Sequence, residues 1–262
     1  SYAHSLPHGH RFPMAKYELI PQQLRYEGIA GEEAFFAPEP LTDAQVIAVH
    51  DAGYWARLQS GELSRAEERR TGFPWSRALV EREVLIAGGT LECARYALQQ
   101  GSVALNVAGG THHAYRDRGE GFCLLNDLAL TSQLILNEGL VGQILIIDLD
   151  VHQGNGTAAL CAHEPRAFTF SMHGASNYPL HKEQSDLDVP LPDGCDDAHY
   201  LGLLRHHLPR LLDALQPDLV LYQCGVDVLA TDKLGRLGLT REGCRDRDRE
   251  VLERCWRNGI PV

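Results

Sequence analysis

The stretch from Ile144 to Gly156 constrains the fold of this chain more than any other part of its sequence. Four apolar residues, Ile144–Ile147, are followed by Asp148, Asp150 and His152 at alternate positions. Because successive side chains of a strand point to opposite faces, these three polar groups share one side. A continuous apolar run is typical of a parallel strand buried on both faces, where an unpaired carboxylate is costly. The pattern therefore predicts a buried strand that ends at a metal-ligating cluster.

Strand-like and helix-like segments alternate along the chain. The apolar runs typical of strands are Val103–Val107, Gln143–Leu149, Ala167–Met172 and Leu219–Cys224, and a last run begins at Ile260. The helical patterns cover Ala44–Gln59, Leu79–Gln99, Leu124–Asn137, Asp197–Leu215 and Arg241–Arg257. This alternation predicts an α/β fold, an open and mostly parallel sheet flanked by helices. Ligands of such a sheet are expected beyond the carboxyl ends of its strands. The polar segments Ser60–Arg77 and Gly174–Asp196 are predicted to be long loops at the rim of the site.

Length and composition narrow the class of protein. A chain of 262 residues that is 44% hydrophobic suits a single catalytic domain over residues 1–262. No apolar run reaches the length of a membrane span, and the first residues show no charged-then-apolar signal pattern, so a cytoplasmic protein is expected. The seven cysteines form no Cys-x-x-Cys pair, which disfavours a zinc knuckle or a disulfide framework. A net charge of −11 argues against nucleic acid as a direct partner. The oligomeric state is left open.

Two further polar groups lie after strand-like runs. Gly109 and Gly110 lead into His112 and His113, which predicts a catalytic imidazole pair, with a hydrogen-bonded structural pair as the alternative. Asp227 follows the run Leu219–Cys224 and is expected at the same sheet edge as the Asp-x-Asp-x-His cluster. For that cluster the alternative is a structural hydrogen-bond network.

Two other segments are interpreted as structural, with no functional site. The residues His8–Arg11 could suggest a second metal site, but a mobile or rim loop near the terminus is the preferred interpretation. The segment Arg241–Glu250 alternates in charge sign, which is typical of a solvated helix face.

Four segments together resemble a known family. They are Gly109–His113, Gly119–Asp127, Asp148–Gly156 and Cys224–Gly235. In this order and spacing they resemble the zinc-dependent histone deacetylases of the arginase/deacetylase fold, over nearly the whole chain. Asn155, where many relatives carry Asp, and the Asp-x-Leu-Gly sequence after Asp227 resemble the class IV branch and its bacterial members.

The resemblance implies a zinc ion held by Asp150, His152 and Asp227. Two carboxylates and one imidazole leave positions open for water and the substrate carbonyl, as in other catalytic zinc sites. The resemblance further implies a potassium ion near the zinc, bound by the residues Asp148, Asp150, His152, Ser171 and Met172.

The resemblance also implies the catalytic roles. His113 is the general base and acid, and His112 stabilises the charge of the tetrahedral intermediate. Asp148 pairs with His112, and Asn155 pairs with His113, which fixes the tautomer and orientation of each ring. Because an amide cannot stabilise an imidazolium as a carboxylate does, His113 is expected to be less basic than in relatives with Asp at that position.

The implied substrate is an acylated amine in an apolar tunnel. Gly121, Phe122 and Tyr178 match the tunnel walls of the family, and such walls suit a neutral acyl-lysine better than a free ammonium. The predicted reaction is hydrolysis of acetyl-lysine or long-chain fatty acyl-lysine in proteins or peptides. Deacetylation of polyamines or other small acylamines is one alternative.

A second alternative is an acyl-lysine binding protein with impaired catalysis. Its support is that this sequence lacks the family's Gly-rich loop and oxyanion-binding Tyr, which are expected after Gly259–Val262. The complete set of metal-ligating and imidazole groups argues against a pure binder. An arginase-like dimetal ureohydrolase is disfavoured because His112 and His113 occupy one of the loops that supply its bridging carboxylates.

Overall fold

The computed structural model describes residues 2–262, which form two compact units. The first unit comprises the described residues up to Cys93 together with Leu105–Thr131, and the second comprises Ala94–Ala104 together with Ser132–Val262. The expectation of one catalytic domain over residues 1–262 stays a prediction. Among the described residues, no helix combines the length and the apolar character that crossing a membrane requires.

A four-stranded parallel sheet is the centre of the second unit. Its strands are β1 (Ile144–Asp148), β2 (Ala167–Gly174), β3 (Leu187–Leu191) and β4 (Leu219–Gln223), in the order β3-β2-β1-β4. The chain therefore moves outward from β1 through β2 to β3 and then returns to the other side of β1. Strand order reverses between β1 and β4, and open α/β sheets bind ligands at such a switch point. The predicted parallel α/β sheet is confirmed.

The described part of the chain contains ten helices, one of them a short 3-10 helix. They are α1 (Lys16–Tyr26), the 3-10 helix Glu32–Ala34, α2 (Asp43–Ile47), α3 (Ala52–Ser60), α4 (Arg65–Thr71), α5 (Arg77–Gln100), α6 (Asp127–Asn137), α7 (Asn155–Cys161), α8 (Asp197–Leu215) and α9 (Arg241–Arg257). One buried apolar cluster joins Leu145 and Ile147 of β1 with Leu204 of α8 and Val251 of α9. Burial of these faces against the sheet explains why the apolar patterns predicted α8 and α9 with the observed bounds.

The predicted helix Ala44–Gln59 is two helices. Asp51 lies between them, and its carboxylate accepts a hydrogen bond from the Tyr54 backbone nitrogen at 2.8 Å. This N-cap starts α3 anew, since a capping side chain satisfies a backbone donor that a continuous helix would pair internally.

The predicted strand Val103–Val107 is wrong. Only its first part is paired: the Ala104 nitrogen donates to the Val262 carbonyl at 3.0 Å, and the chain then turns where the Asn106 side chain accepts from the Ala108 nitrogen at 3.1 Å. The run that begins at Ile260 forms no regular strand, although Pro261 accepts a hydrogen bond from Val220 of β4 at 2.9 Å.

Both predicted rim loops contain regular structure. Strand β3 lies within Gly174–Asp196, and helix α4 lies within Ser60–Arg77. Ser64 and Glu67 form a capping box at the start of α4, which is a pattern visible in the sequence. The sequence of β3, Leu-Asp-Val-Pro-Leu, contains a proline that a sheet tolerates only at an edge, and β3 is an edge strand.

Candidate metal centre

Three predicted metal ligands converge where β1 and β4 end. The last residue of β1, Asp148, lies beside Gln223 of β4, so the segments that follow both strands leave the same sheet edge. Asp150, His152 and Asp227 each offer a ligand atom, and these atoms lie within 4.8 Å of one another. The structure therefore brings together the two carboxylates and the imidazole that the resemblance implied as ligands, whereas the strand pattern alone grouped Asp148 with Asp150 and His152.

Electrostatic interactions within this triad are strong. His152 Nδ1 lies 3.0 Å from Asp150 Oδ1 and 3.1 Å from Asp227 Oδ2. Burial lowers the pKa of His152, but hydrogen bonds and charge interactions with Asp150 and Asp227 outweigh burial and raise this pKa to about 10. Burial and the charge of Asp150 raise the pKa of Asp227. A buried and a half-buried carboxylate that face one another need positive charge between them, which is the requirement that a divalent cation meets.

Backbone donors hold the carboxylates in place. The Val151 nitrogen donates to Asp227 Oδ1 at 3.0 Å, and the His152 nitrogen donates to Asp150 Oδ1 at 2.8 Å. The Asp150 nitrogen donates to Asp148 Oδ1 at 3.2 Å. These bonds tie each carboxylate to the loop after β1, so the ligand atoms are oriented before a metal binds.

Two glycines leave room for the triad, and sequence reasoning assigned neither a role. A Cβ at Gly225 would lie 2.1 Å from Asp150 Oδ2 and 3.0 Å from Asp227 Oδ1. A Cβ at Gly235 would lie 1.8 Å from the Asp227 carbonyl oxygen. Any larger residue at either position would displace a ligand, because atoms do not approach so closely without rearrangement.

The residues assigned to potassium lie on or beside neighbouring strands. Asp148 of β1 is in register with Ser171 of β2, and both are buried. The Ser171 hydroxyl lies 2.9 Å from His173 Nδ1, and Met172 is fully buried. A potassium site here stays a prediction.

Asn155 is the first residue of α7 and is buried. Its backbone nitrogen donates to the Gln153 carbonyl at 2.8 Å. The Gln153 amide nitrogen in turn donates to the Glu183 carbonyl at 2.7 Å and to Asp188 Oδ1 at 2.8 Å. These bonds fix the chain immediately after the His152 ligand.

The imidazole pair lies in the first unit. His112 and His113 are buried, and their ring centroids lie 4.1 Å apart. The Asn126 side-chain nitrogen donates to the carbonyls of His112 at 3.3 Å and Ala114 at 3.1 Å. The Asn126 backbone nitrogen donates to His50 Nε2 at 3.0 Å. We call residues 112–114 the imidazole loop. One buried amide, that of Asn126, thus holds both ends of this loop.

His50 accepts the hydrogen bond from the Asn126 backbone nitrogen as a neutral imidazole. Its Nδ1 donates to the Tyr115 carbonyl at 2.9 Å, while its Nε2 accepts from Asn126. Burial lowers the pKa of His50 to about 4, and hydrogen bonds to the backbone oppose this shift only in part. The ring is therefore neutral at physiological pH, with its tautomer set by its two partners.

Asp127 fixes the segment that leads into the imidazole pair. Its carboxylate accepts from the backbone nitrogens of Gly110 at 2.9 Å and Thr111 at 2.7 Å. It also accepts from the hydroxyls of Thr111 at 2.8 Å and Thr90 at 2.6 Å. Sequence reasoning missed this role, although an Asn-Asp pair at the start of a helical pattern is a capping signal.

Gly121 lies against His113, and Phe122 packs among aromatic rings of the first unit. Gly121 has φ +54°, and a Cβ there would lie 2.7 Å from His113 Cδ2, so glycine leaves space for that ring. The Phe122 nitrogen donates to the Thr71 carbonyl at 2.8 Å, and its ring packs 5.4 Å from that of Phe73. The third residue assigned to the tunnel lies beside the metal triad, in the second unit: the ring of Tyr178 is 39% exposed and lies 6.4 Å from that of His152.

His10 packs in the first unit. Its Nε2 donates to the Gly72 carbonyl at 2.8 Å, and its ring stacks on Phe73 at 5.7 Å. Within residues 2–262, the triad of Asp150, His152 and Asp227 is the group of three that could hold a metal. These contacts favour a loop at His8–Arg11 over a second metal site, and His10 within that loop is packed, not mobile.

Residues 10–262 match the model of the histone deacetylase domain. The chain belongs to the histone deacetylase family. It is 45% identical over 261 residues to an uncharacterized protein of Picosynechococcus sp., covering all of this chain and 87% of that protein. It is 29% identical to histone deacetylase 2 of Arabidopsis thaliana, covering 97% of this chain and 67% of that protein.

The deacetylase fold is also confirmed by structural similarity. An HDAC homologue from Aquifex aeolicus superimposes with a TM-score of 0.82 at 23% identity, over 96% of this chain and 73% of that chain. The histone deacetylase match includes the imidazole pair and the metal triad. Membership of the class IV branch and a bacterial origin stay predictions.

Proposed function

We propose that this chain catalyses zinc-dependent hydrolysis of the amide bond of acyl-lysine in proteins or peptides. The observation that carries the proposal is the convergence of Asp150, His152 and Asp227 at the switch point of the sheet, in a member of the histone deacetylase family. Two carboxylates and one imidazole are a donor set that suits zinc. When bound, zinc polarises the substrate carbonyl and lowers the pKa of water.

The imidazole pair supplies the proton transfers. We assign His113 as the general base that takes the proton of the attacking water at a ring nitrogen and returns it to the leaving amine. His112 donates a hydrogen bond to the developing negative charge. The bonds of Asn126 to the imidazole loop, and the space left by Gly121, support this assignment because they fix the backbone that carries the rings and leave room for the His113 ring. The orienting roles of Asp148 and Asn155 stay predictions.

The acyl chain is proposed to be acetyl or a long fatty acyl group. Phe122 and Tyr178 are assigned to contact the apolar stem of the acylated lysine, because aromatic faces bind a neutral aliphatic chain without a desolvation penalty for a charge. A potassium ion near the zinc remains part of the proposal.

Hydrolysis of two peptides tests the proposal, one with acetyl-lysine and one with myristoyl-lysine. The zinc-loaded protein is expected to release the free lysine peptide, detected by mass spectrometry, and dialysis against a chelator is expected to abolish release. Asp227→Asn should be inactive, whereas Asp213→Asn, a change at an exposed position of α8, should retain full activity. The preferred peptide identifies the acyl chain.

Two outcomes would contradict the proposal. Stoichiometric zinc binding without turnover of either peptide would exclude an acyl-lysine peptide hydrolase. Turnover of acetylated polyamines alone would replace acyl-lysine peptides with small acylamines as the substrate class.

A further inference from the structure

Helix α9 carries a buried arginine in a segment whose charge pattern predicts exposure. Arg247 has no solvent-exposed surface, whereas Arg245 on the same helix is exposed. The interpretation of Arg241–Glu250 as a solvated face is therefore wrong at this position. A fully buried guanidinium keeps its charge and needs hydrogen-bond acceptors for its donors.

The acceptors of Arg247 belong to the two segments that carry the metal ligands. Its guanidinium donates to the Leu149 carbonyl at 3.0 Å and to the Gly225 carbonyl at 2.7 Å. It also donates to the Cys224 carbonyl at 3.1 Å. Leu149 immediately precedes the ligand Asp150, and the other two residues follow β4 just before Asp227. One side chain thus bridges the two segments that follow the carboxyl ends of β1 and β4, which we call the exits of these strands.

The guanidinium is itself held from the other side. Arg247 Nε donates to Asp248 Oδ1 at 2.9 Å, and the Tyr222 hydroxyl donates to the same oxygen at 2.6 Å. Tyr222 belongs to β4, so the carboxylate of Asp248 links the arginine to the strand whose exit it binds. This second contact limits the orientations that the guanidinium can adopt.

We propose that Arg247 is a positioning residue of the metal centre. By holding three carbonyls of the β1 and β4 exits, it fixes the separation of Asp150 and Asp227 without touching the metal. The two carboxylates repel one another, and without Arg247 the exits are free to separate until a metal draws them together again. The energy of that rearrangement would be lost from metal binding. This inference rests on the metal centre of the proposed function.

Zinc affinity and ligand geometry test the proposal directly. Arg247→Met removes the donors at similar volume, Arg247→Lys keeps a charge with fewer donors, and Arg245→Met is the matched control on the same helix. Zinc dissociation constants are measured by competition with a chromophoric chelator, and the visible spectrum of the Co²⁺-loaded protein reports ligand geometry. R247M should weaken zinc binding about 10–100-fold and alter the Co²⁺ spectrum. R247K should bind with intermediate affinity, and R245M should match the unmodified chain.

A merely structural role predicts a different result. R247M would then lower the unfolding temperature of the metal-free protein while its zinc dissociation constant and Co²⁺ spectrum stayed unchanged, and that result would overturn the inference. If R247M does not fold, R247K decides: weaker zinc binding supports the inference, and unchanged binding overturns it.

The two proposals fail in distinguishable ways. An unmodified chain that hydrolyses acyl-lysine peptides, with zinc binding unchanged in R247M and R247K, overturns the role of Arg247 alone. An unmodified chain that binds zinc but hydrolyses neither peptide, with weaker zinc binding in R247M, overturns the hydrolase and supports the role of Arg247. A chain that binds no zinc overturns both.

Discussion

The candidate metal centre requires a residue without a side chain, glycine, at position 225. A Cβ at this position would overlap Asp150 Oδ2 and crowd Asp227 Oδ1, so two ligands would be displaced together. Gly225→Ala is expected to abolish stoichiometric zinc binding, measured by metal analysis after gel filtration. Gly202→Ala in α8 is the control, since a Cβ there meets no atom within 4 Å and alanine favours a helix. Zinc binding by G225A with unchanged affinity would contradict the ligand geometry described here.

His50 makes the stability of the chain depend on pH. Its folded-state pKa of about 4 lies below the ordinary value of 6.5, so the unfolded chain binds a proton that the folded chain does not. The stabilisation by neutral His50 is complete above pH 6.5 and is lost as pH falls toward 4, by about 3 kcal/mol in all.

Denaturant unfolding between pH 7.5 and 4.5 measures this dependence. His50→Gln keeps an acceptor for the Asn126 nitrogen but cannot gain a proton, so its free energy of unfolding should fall less steeply over this range than that of the unmodified chain. Parallel curves for the two proteins would show that His50 is not the titrating group.

Single residues also show what the sequence could and could not predict. The placement of Asp150, His152 and Asp227 at one sheet edge was predictable because each follows an apolar run and parallel strands end at the same edge. Their selection as ligands in place of Asp148 came from the family resemblance. The role of Arg247 was not predictable, because its guanidinium donates to the Leu149 carbonyl at a separation of 98 residues and its helix carries an alternating charge pattern. A burial that depends on distant backbone carbonyls leaves no periodic signal in the sequence.

At the scale of elements, burial decided which predictions succeeded. Strands β1, β2 and β4 and helices α8 and α9 bury continuous faces in one apolar cluster, so their patterns are strong. Strand β3 carries Asp188 and Pro190 at the sheet edge, where only one neighbour constrains it, and its pattern is weak.

The start of α6 organises the imidazole loop through Asp127. Each carboxylate oxygen of Asp127 accepts two hydrogen bonds, so an amide nitrogen in either place would face two donors. Asp127→Asn is therefore expected to reduce the free energy of unfolding by about 3 kcal/mol. It should also lower kcat on the order of 100-fold, because the imidazole pair moves with its loop.

Chemical denaturation and steady-state kinetics check both effects. Asp117→Asn is the control in the same unit, since Asp117 is exposed and its ion pair with Arg118 contributes little. A D127N protein with unchanged kcat would separate Asp127 from the positioning of the imidazoles.

At the scale of the whole molecule, strand order determines where chemistry can occur. The chain builds β1, β2 and β3 outward and returns to add β4 beside β1, so residues 148–152 and 224–228 become neighbours although they are distant in sequence. Alternation of strands and helices predicted a parallel sheet, but the reversal at β1 depends on which helices cover which face. The sequence pattern alone does not specify that choice.

Metal binding should therefore stabilise the molecule as a whole. Under the proposed function, zinc bound by the triad would join the exits of β1 and β4 in the folded state, and the unfolded chain lacks the preformed triad. At free zinc about 1,000-fold above its dissociation constant, linkage adds about 4 kcal/mol, which raises the unfolding midpoint by roughly 10 °C for a chain of this size. Calorimetry of the zinc-loaded protein before and after chelation measures this shift. Asp227→Asn, which lacks a ligand, should show the same midpoint with and without chelator. Equal midpoints for the zinc-loaded and chelated forms of the unmodified chain would contradict zinc binding by the folded triad, because an ion that binds only the folded state must raise the midpoint.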